Sequence, residues 1–177
     1  MRQNFILLLS CMLFSAALSA RATILPNACG DDKVKFEVTA KTSNTPPAPP
    51  DPGKAQLVLI ENENHMIGPF MHATIRFGLD GAWVGANSDN SYFVVPVEPG
   101  VHHVCVSWQS SLKMLKKSID VASFTAEAGK VYYFAANVKV VPTGNNAANI
   151  DFDLSQMDED ARQYRVKAWK VAKATPK

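Results

Sequence analysis

Short apolar runs separated by turn residues fill most of the sequence after Lys54 and constrain the fold more than any other feature. Residues 55–61 form a nearly continuous apolar run, whereas residues 73–79 alternate with the period of a half-buried strand. Asp80 and Gly81 follow at once, and an Asp-Gly pair between apolar runs is a strong hairpin signal because both turn residues must tolerate positive φ. Short strands at regular spacing are typical of an all-β fold, and we predict an antiparallel β-sandwich of about seven to nine strands.

One short helix is expected near the C-terminus. Residues 155–163 offer Ser155 as an N-cap and place acidic side chains near the helix start, where the helix dipole favours them. The residues from Arg165 onward predict a last strand, and their basic composition is typical of a solvated sheet edge rather than of a patch for a membrane or a polyanion. No apolar period continues after Val171, so we expect residues 170–177 to be loosely held.

The N-terminus has the three parts of a secretory signal peptide. Arg2 supplies the positive charge, residues 5–17 form the apolar run, and small residues lead up to Ala20 and Ala22. The run is shorter than the roughly 20 residues that span a bilayer as a helix, so a retained membrane anchor is the less favoured alternative. We predict a signal peptide over 1–20, cleavage after Ala20 or Ala22, and a periplasmic or secreted mature chain without a membrane span.

That cleavage determines which cysteines and how many charged residues the mature chain keeps. It would remove Cys11 and leave Cys29 and Cys105, and two cysteines in an oxidising compartment are most simply explained as one disulfide. The residues before Cys11 and Cys29 do not match a lipoprotein signal, which argues against a lipid anchor. Cleavage after Ala20 would also remove Arg2, one of the 18 Lys and Arg residues, and leave 17 against 16 Asp and Glu. This near-neutral chain has no basic stripe, so we expect no nucleic-acid partner.

A proline cluster divides the mature chain. Residues 34–41, VKFEVTAK, alternate strictly and predict a half-buried strand. The prolines at positions 46–52 then stiffen the chain toward polyproline II, which is typical of a spacer. We therefore expect an N-terminal strand and Pro-rich spacer over 23–53, a β-sandwich domain over 54–172 and a tail over 173–177.

Two histidines and a cysteine lie together in the predicted strand VHHVCVSW, residues 101–108. Side chains alternate faces in a strand, so His102 and His103 point to opposite sides and cannot jointly hold one metal ion. A metal site would need His65, His72 or a carboxylate from elsewhere, and no ligand spacing indicates such a site. We expect neither a metal ion nor another cofactor.

Two catalytic alternatives stay open. His103 and Cys105 share a strand face and could act as base and nucleophile, but that chemistry needs a free thiol of lowered pKa rather than a disulfide. Asp151 and Asp153 also share a face, as a pair of hydrolase carboxylates would, although like charges on an exposed strand are the commoner case. No motif of a nucleophile elbow, a zinc protease, a phosphate loop or a calcium loop occurs in the sequence.

Two aromatic side chains are candidates for a binding surface. Trp83 follows the predicted hairpin turn, and Tyr133 lies out of phase with the apolar set of its strand. Aromatic rings in such places can bind sugars or proteins, and more often they cover the edge of a core.

Three segments together resemble a bacterial envelope family described as a domain of unknown function: IRFGLDGAWVG, SYFVVPVEPGVHH and FTAEAGKVYYFAANV. The Asp-Gly hairpin and the Pro-Gly-x-His turn are also similar to PEGA domains, small β-sandwich modules of bacterial surface proteins. The resemblance covers roughly residues 28–172 and departs most near the end, where Asp-Glu-Asp stands in place of the usual Asp-Glu-Gly turn. It implies a sandwich in the periplasm or at the cell surface and carries over no catalytic residue.

These observations together favour a non-enzymatic exported envelope module. Its role would be structural, or it would bind an envelope protein or a glycan. The alternative is a secreted hydrolase or thiol enzyme that uses Cys105 with His103, or Asp151 with Asp153.

Overall fold

The computed structural model describes residues 29–43, 45–62, 74–109, 118–144 and 147–177. The signal peptide expected over 1–20, its cleavage site, and the two further histidines His65 and His72 lie outside these residues.

Strands dominate the described residues, as expected for an all-β fold. In chain order the elements are β1 (Phe36–Thr42), β2 (Ala55–Asn62), β3 (Ile75–Leu79), β4 (Ala82–Asn87), β5 (Ser91–Val97), β6 (Gly100–Trp108), β7 (Ile119–Ala126), β8 (Val131–Gly144), β9 (Ala147–Gln156), α1 (Glu159–Ala168) and β10 (Lys170–Pro176).

The strands form two sheets that pack face to face. The six-stranded sheet has the order β1-β10-β5-β2-β8-β9, and the four-stranded sheet has the order β4-β3-β6-β7. The four-stranded sheet is antiparallel throughout. The six-stranded sheet is mixed, because β10 runs parallel to β5 and β2 runs parallel to β8. The predicted sandwich is therefore confirmed, but the prediction that it is antiparallel throughout is wrong, and the described residues form ten strands rather than seven to nine.

The parallel pairs have a physical cause in the path of the chain. Between β2 and β8 the chain visits the four-stranded sheet twice, through β3 and β4 and then through β6 and β7. A tight hairpin must return antiparallel, whereas a long connection that leaves a sheet can enter it again in either direction. The alternation of apolar and polar residues within a strand does not indicate whether that strand pairs parallel or antiparallel to its neighbour.

The C-terminal residues differ most from the prediction. Helix α1 starts later than expected, because Asp158 rather than Ser155 is the N-cap and its side chain accepts a backbone N–H of the first turn at 2.7 Å. Strand β10 then lies between β1 and β5, and it pairs with β1 along its whole length. Ala172 packs into the core between the sheets and Val171 packs on the helix side. The expectation of a loosely held tail over 170–177 is therefore wrong.

Two apolar cores hold these layers together. The main core lies between the sheets and contains the buried rings of Phe77 and Trp108. The second core lies on the other face of the six-stranded sheet, where α1 covers Val58, Ile60 and Tyr92. Strand β2 is thus buried on both faces, which explains its nearly continuous apolar sequence.

The hairpin predicted at Asp80 and Gly81 is present. The two residues have φ values of 49° and 90°, and β3 and β4 pair on either side of the turn. Strand β6 is the other neighbour of β3, and the Asp80 N–H donates to the His103 carbonyl oxygen at 3.0 Å. The turn therefore lies beside the start of β6.

Candidate functional site

Strand β6 presents its side chains on two faces, as its alternation predicted. Cys105 and His103 lie on the outer face of the four-stranded sheet, whereas His102 points the other way, to the rim of the main core. The centroid of the His102 ring is 5.6 Å from that of Phe124. The apolar set of the strand is buried in the main core: Val104, Val106 and Trp108.

Cys105 is bonded to Cys29, as predicted. The two Sγ atoms are 2.12 Å apart, and the bond joins positions separated by 76 residues. Both cysteines are buried, Cys105 completely. Gly78 makes room for the bond, because a Cβ there would lie 2.8 Å from the Cys29 carbonyl oxygen. A disulfide sulfur offers no thiolate, so Cys105 with His103 has no free nucleophile in this form of the protein.

Residues 29–35, here called the N-terminal cover, lie on the outer face of the four-stranded sheet and are held there by Arg76. One guanidinium nitrogen, Nη1, donates to the carbonyl oxygens of Asp32 and Val34 at 3.2 and 2.8 Å. The other, Nη2, is 3.8 Å from Asp32 Oδ1. Burial lowers the pKa of Arg76, and the Asp32 carboxylate opposes that effect.

The candidate binding residue Trp83 contacts the same cover. The Arg76 guanidinium carbon is 4.2 Å from the centroid of the Trp83 ring, a cation–π distance. The Trp83 Nε1–H donates to the Asp31 carbonyl oxygen at 2.8 Å. One ring face and the indole N–H therefore make contacts within the chain that anchor the N-terminal cover.

The other candidate, Tyr133, lies on the opposite side of the sandwich. Its ring packs against the second core, and the Arg162 guanidinium carbon is 4.9 Å from the ring centroid. Tyr133 thereby contributes to the attachment of α1 to the six-stranded sheet. Because the two aromatic residues lie on different outer faces, they do not form one surface.

Asp151 and Asp153 lie on β9, the last strand of the six-stranded sheet, and each has a partner. Asp151 Oδ1 accepts the Ser118 hydroxyl and the Phe152 N–H, both at 2.9 Å. Asp153 Oδ1 is 3.1 Å from the Lys139 ammonium. The arrangement gives both carboxylates structural contacts, and the sequence pattern could not distinguish these from a catalytic pair.

Asp120 of β7 makes a contact of the same kind. Its Oδ2 accepts the Leu154 N–H at 2.7 Å. The single Ser118 O–H is shared between Asp151 and the Ile150 carbonyl oxygen, which lies 2.8 Å from Ser118 Oγ. These side chains bond backbone groups along the outer edge of β9, which would otherwise be open to pairing with another strand.

Both histidines share a partner that sequence reasoning missed, the Asp80 carboxylate of the β3–β4 turn. Asp80 Oδ2 is 2.6 Å from His102 Nδ1, and Asp80 Oδ1 accepts the His103 backbone N–H at 2.8 Å. The His103 Nδ1 is 4.0 Å from the same Oδ1. The second nitrogen of His102, Nε2, is 2.7 Å from the Glu98 carbonyl oxygen in the β5–β6 turn. The Asp-Gly and Pro-Gly-x-His signals mark both turns, but nothing in the sequence says that the two turns meet.

The surroundings of His102 act on its titration in opposite directions. Burial lowers the pKa of His102, but the hydrogen bonds to Asp80 and to the Glu98 carbonyl, together with the Asp80 charge, outweigh that effect. The pKa of His102 is therefore raised above its ordinary value. Its side chain is 13% exposed, so the ring is largely shielded from water.

Within the described residues, no group of three or more His, Cys, Asp or Glu side chains is arranged to hold a metal ion. The one helix found there lacks the length and apolarity needed to cross a bilayer. No protein-family model, curated protein or solved structure matches the chain.

Proposed function

We propose that the chain is a non-enzymatic exported envelope module that binds a protein partner through the outer face of its four-stranded sheet. The observation that carries the proposal is a set of large apolar side chains exposed on that face. Val101 is 65% exposed, Ile119 is 49% exposed and Val121 is 38% exposed. These three residues are called the β6–β7 strip.

The register of the sheet puts the strip on one face. Val121 is the direct partner of Cys105, and Ile119 is the partner of Ser107. Val101 points to the same side as Cys105, because their positions in one strand differ by four, an even number. Val121 and Ile119 are neighbours on this face, and Val101 lies four ladder positions further along it, opposite Thr125. Exposed apolar side chains on one sheet face favour contact with another protein over contact with water.

Export is supported by the buried disulfide between Cys29 and Cys105, because such bonds persist in oxidising compartments. The signal-like N-terminus agrees with export. The resemblance of its turn motifs to those of envelope β-sandwich modules supports the same proposal. A protein partner is better supported than a glycan, because Trp83 and Tyr133 each have an arginine over the ring.

An enzyme that uses these residues has less support. The thiol alternative would require reduction of the bond at Cys105. The carboxylate alternative would require Asp151 and Asp153 to give up their contacts with Ser118 and Lys139.

Site-specific photo-crosslinking in cells that naturally make the protein tests the proposal. A photoreactive amino acid at Val121 is compared with the same amino acid at Glu37, an exposed position of β1 on the other sheet. We expect a discrete protein adduct from position 121, its loss when Ile119→Asp is added, and no adduct from position 37. Thermal unfolding of Ile119→Asp should match the wild type, because Ile119 is half exposed.

Three outcomes would contradict this proposal. Equal adducts from both positions would show that the strip has no special role. No adduct from either position would argue against a protein partner. Adducts that contain saccharide but no protein would instead favour a glycan ligand.

A further inference from the structure

His102 stands at the junction of two turns that come from different sheets. Its Nδ1 faces Asp80 in the β3–β4 turn, and its Nε2 faces the Glu98 carbonyl oxygen in the β5–β6 turn. The β3–β4 turn belongs to the four-stranded sheet, and the β5–β6 turn leads out of the six-stranded sheet. One ring therefore connects the two sheets at this end of the sandwich.

The number of ring protons decides what this connection can do. A carboxylate and a carbonyl oxygen only accept hydrogen bonds, whereas neutral imidazole has one N–H and imidazolium has two. Only the charged form of His102 can donate to both Asp80 and Glu98. We propose that His102 is a pH-operated clamp, which joins the two turns when it is protonated and releases one of them when it is not.

The relative strengths of the two His102 hydrogen bonds decide which turn is released. A hydrogen bond to a carboxylate is stronger than one to a neutral carbonyl, so the remaining proton stays on Nδ1, facing Asp80. The Nε2 lone pair then faces the Glu98 carbonyl oxygen, and the two repel each other. Asp80 keeps its bond to the His103 N–H, so the β3–β4 turn stays in place. The β5–β6 turn, residues 98–99, is the part that is released.

Among the described residues, few other charged groups lie near the ring. His103 Nδ1 lies 4.0 Å from Asp80 Oδ1, on the far side of that carboxylate. The Glu98 carboxylate is paired with the Lys54 ammonium at 2.9 Å, which ties the same turn to the start of β2. From β7, the ring meets the uncharged Phe124. Asp80 is therefore the negative charge in direct contact with His102.

The sign of the pH dependence follows from the raised pKa. The pKa of His102 is higher in the folded chain than in the unfolded chain, where it is about 6.5. Its contribution to stability is fully present below the unfolded pKa and is lost as the pH rises through the folded pKa. The turn is thus held below the folded pKa of His102 and released above it.

Nuclear magnetic resonance of the mature chain with ¹⁵N-labelled histidine tests the clamp directly between about pH 5 and about pH 9. We expect the titration midpoint of His102 to be higher in the folded protein than in urea. We also expect two ring N–H signals below that midpoint, and a change in the Gly100 amide shift with the same midpoint. A midpoint at or below that of the unfolded chain, a single ring N–H in acid, or a Gly100 amide that does not follow His102 would each overturn the proposal.

A pair of variants tests the consequence for stability. His102→Gln removes the titrating group, and His103→Gln on the same strand is its matched control. The urea midpoint of the wild type and of His103→Gln should fall as the pH rises across this range, and that of His102→Gln should change less. A His102→Gln variant with the wild-type dependence would refute the clamp. If that variant does not fold, the titration of the wild type still decides the matter.

Discussion

The two sheets cover their outer faces by different means. The outer face of the six-stranded sheet is covered by α1 and its C-cap, which pack apolar side chains such as Val166 and Trp169 against the second core. The outer face of the four-stranded sheet carries the N-terminal cover, which has no regular secondary structure and is held by a disulfide and by Arg76. A helix can bury a broad apolar stripe, whereas a short extended segment cannot and needs a few strong anchors instead. The difference suggests that one face is sensitive to redox conditions and the other is not.

The largest effect is expected from removing the covalent anchor. The double variant Cys29→Ser and Cys105→Ser should lower the free energy of unfolding by roughly 2–5 kcal/mol, because the unfolded chain loses a long cross-linked loop. Urea unfolding measures this loss, and circular dichroism of the folded variant should still show α1. The wild type, denatured without reductant, should contain no free thiol in its mature form. Two free thiols per chain would show that the bond is absent.

We expect Trp169→Ala to weaken the packing of α1 on the six-stranded sheet. Trp169 is half-buried against the second core, with the Arg165 guanidinium carbon 5.5 Å from the ring centroid. We expect a loss of about 2 kcal/mol, below the ~3–5 kcal/mol typical of a fully buried aromatic residue. The loss should be the same in oxidised wild-type background and in the cysteine-free background. A loss that depends on the disulfide would mean that the two covers are coupled.

Arg76→Met tests the second anchor of the N-terminal cover. Methionine keeps much of the side-chain volume but leaves the carbonyl groups of Asp32 and Val34 without their donor. The expected loss is about 1–2 kcal/mol. Combined with the cysteine double variant, it should cost less than the sum of the separate losses, because the cover is released once either anchor is gone. Strict additivity would show that the anchors act independently.

The smallest effect is expected from Tyr164→Ala on the solvent side of α1. Tyr164 is 80% exposed, so its removal should change the unfolding free energy by less than about 0.5 kcal/mol. This variant is the control for Trp169→Ala, since both shorten an aromatic residue of the same segment. A comparable loss from both would mean that α1 stabilises the fold through its helicity rather than through its packing.

The features that sequence reasoning predicted are those that depend on neighbouring residues. The alternation of β6 placed Cys105 on the outer face, and the Asp-Gly pair placed the turn at Asp80. The parallel pairing of β2 with β8 could not be read in this way, because it depends on how the chain crosses between sheets. Residues 170–176 contain few large apolar side chains, and Ala172, which is buried, is small. The local sequence therefore did not predict that β10 lies between β1 and β5.

The candidate site was also predicted only as far as it depends on residues that are close in sequence. The two histidines were found by their residue type, and their opposite orientation followed from the strand period. The third member, Asp80, lies more than twenty positions earlier in the chain, as its hydrogen bond to His102 spans 22 residues. It reaches His102 only because β3 is hydrogen-bonded to β6. Local turn chemistry explains why an aspartate stands at that turn, and tertiary structure alone explains what the aspartate contacts.

The pairing of β1 with β10 has a consequence for how the protein is made. Phe36 lies opposite Pro176, so nearly the first and the last described residues meet in one ladder. Strand β1 ends its sheet, with β10 as its one neighbour among the described strands. A ribosome delivers β1 well before β10, so β1 has no strand partner until the elements between them have been made. Closing so long a loop is slow. Completion of the six-stranded sheet therefore waits until β10 has been made, and a chain that lacks β10 leaves β1 without its neighbour in the sheet.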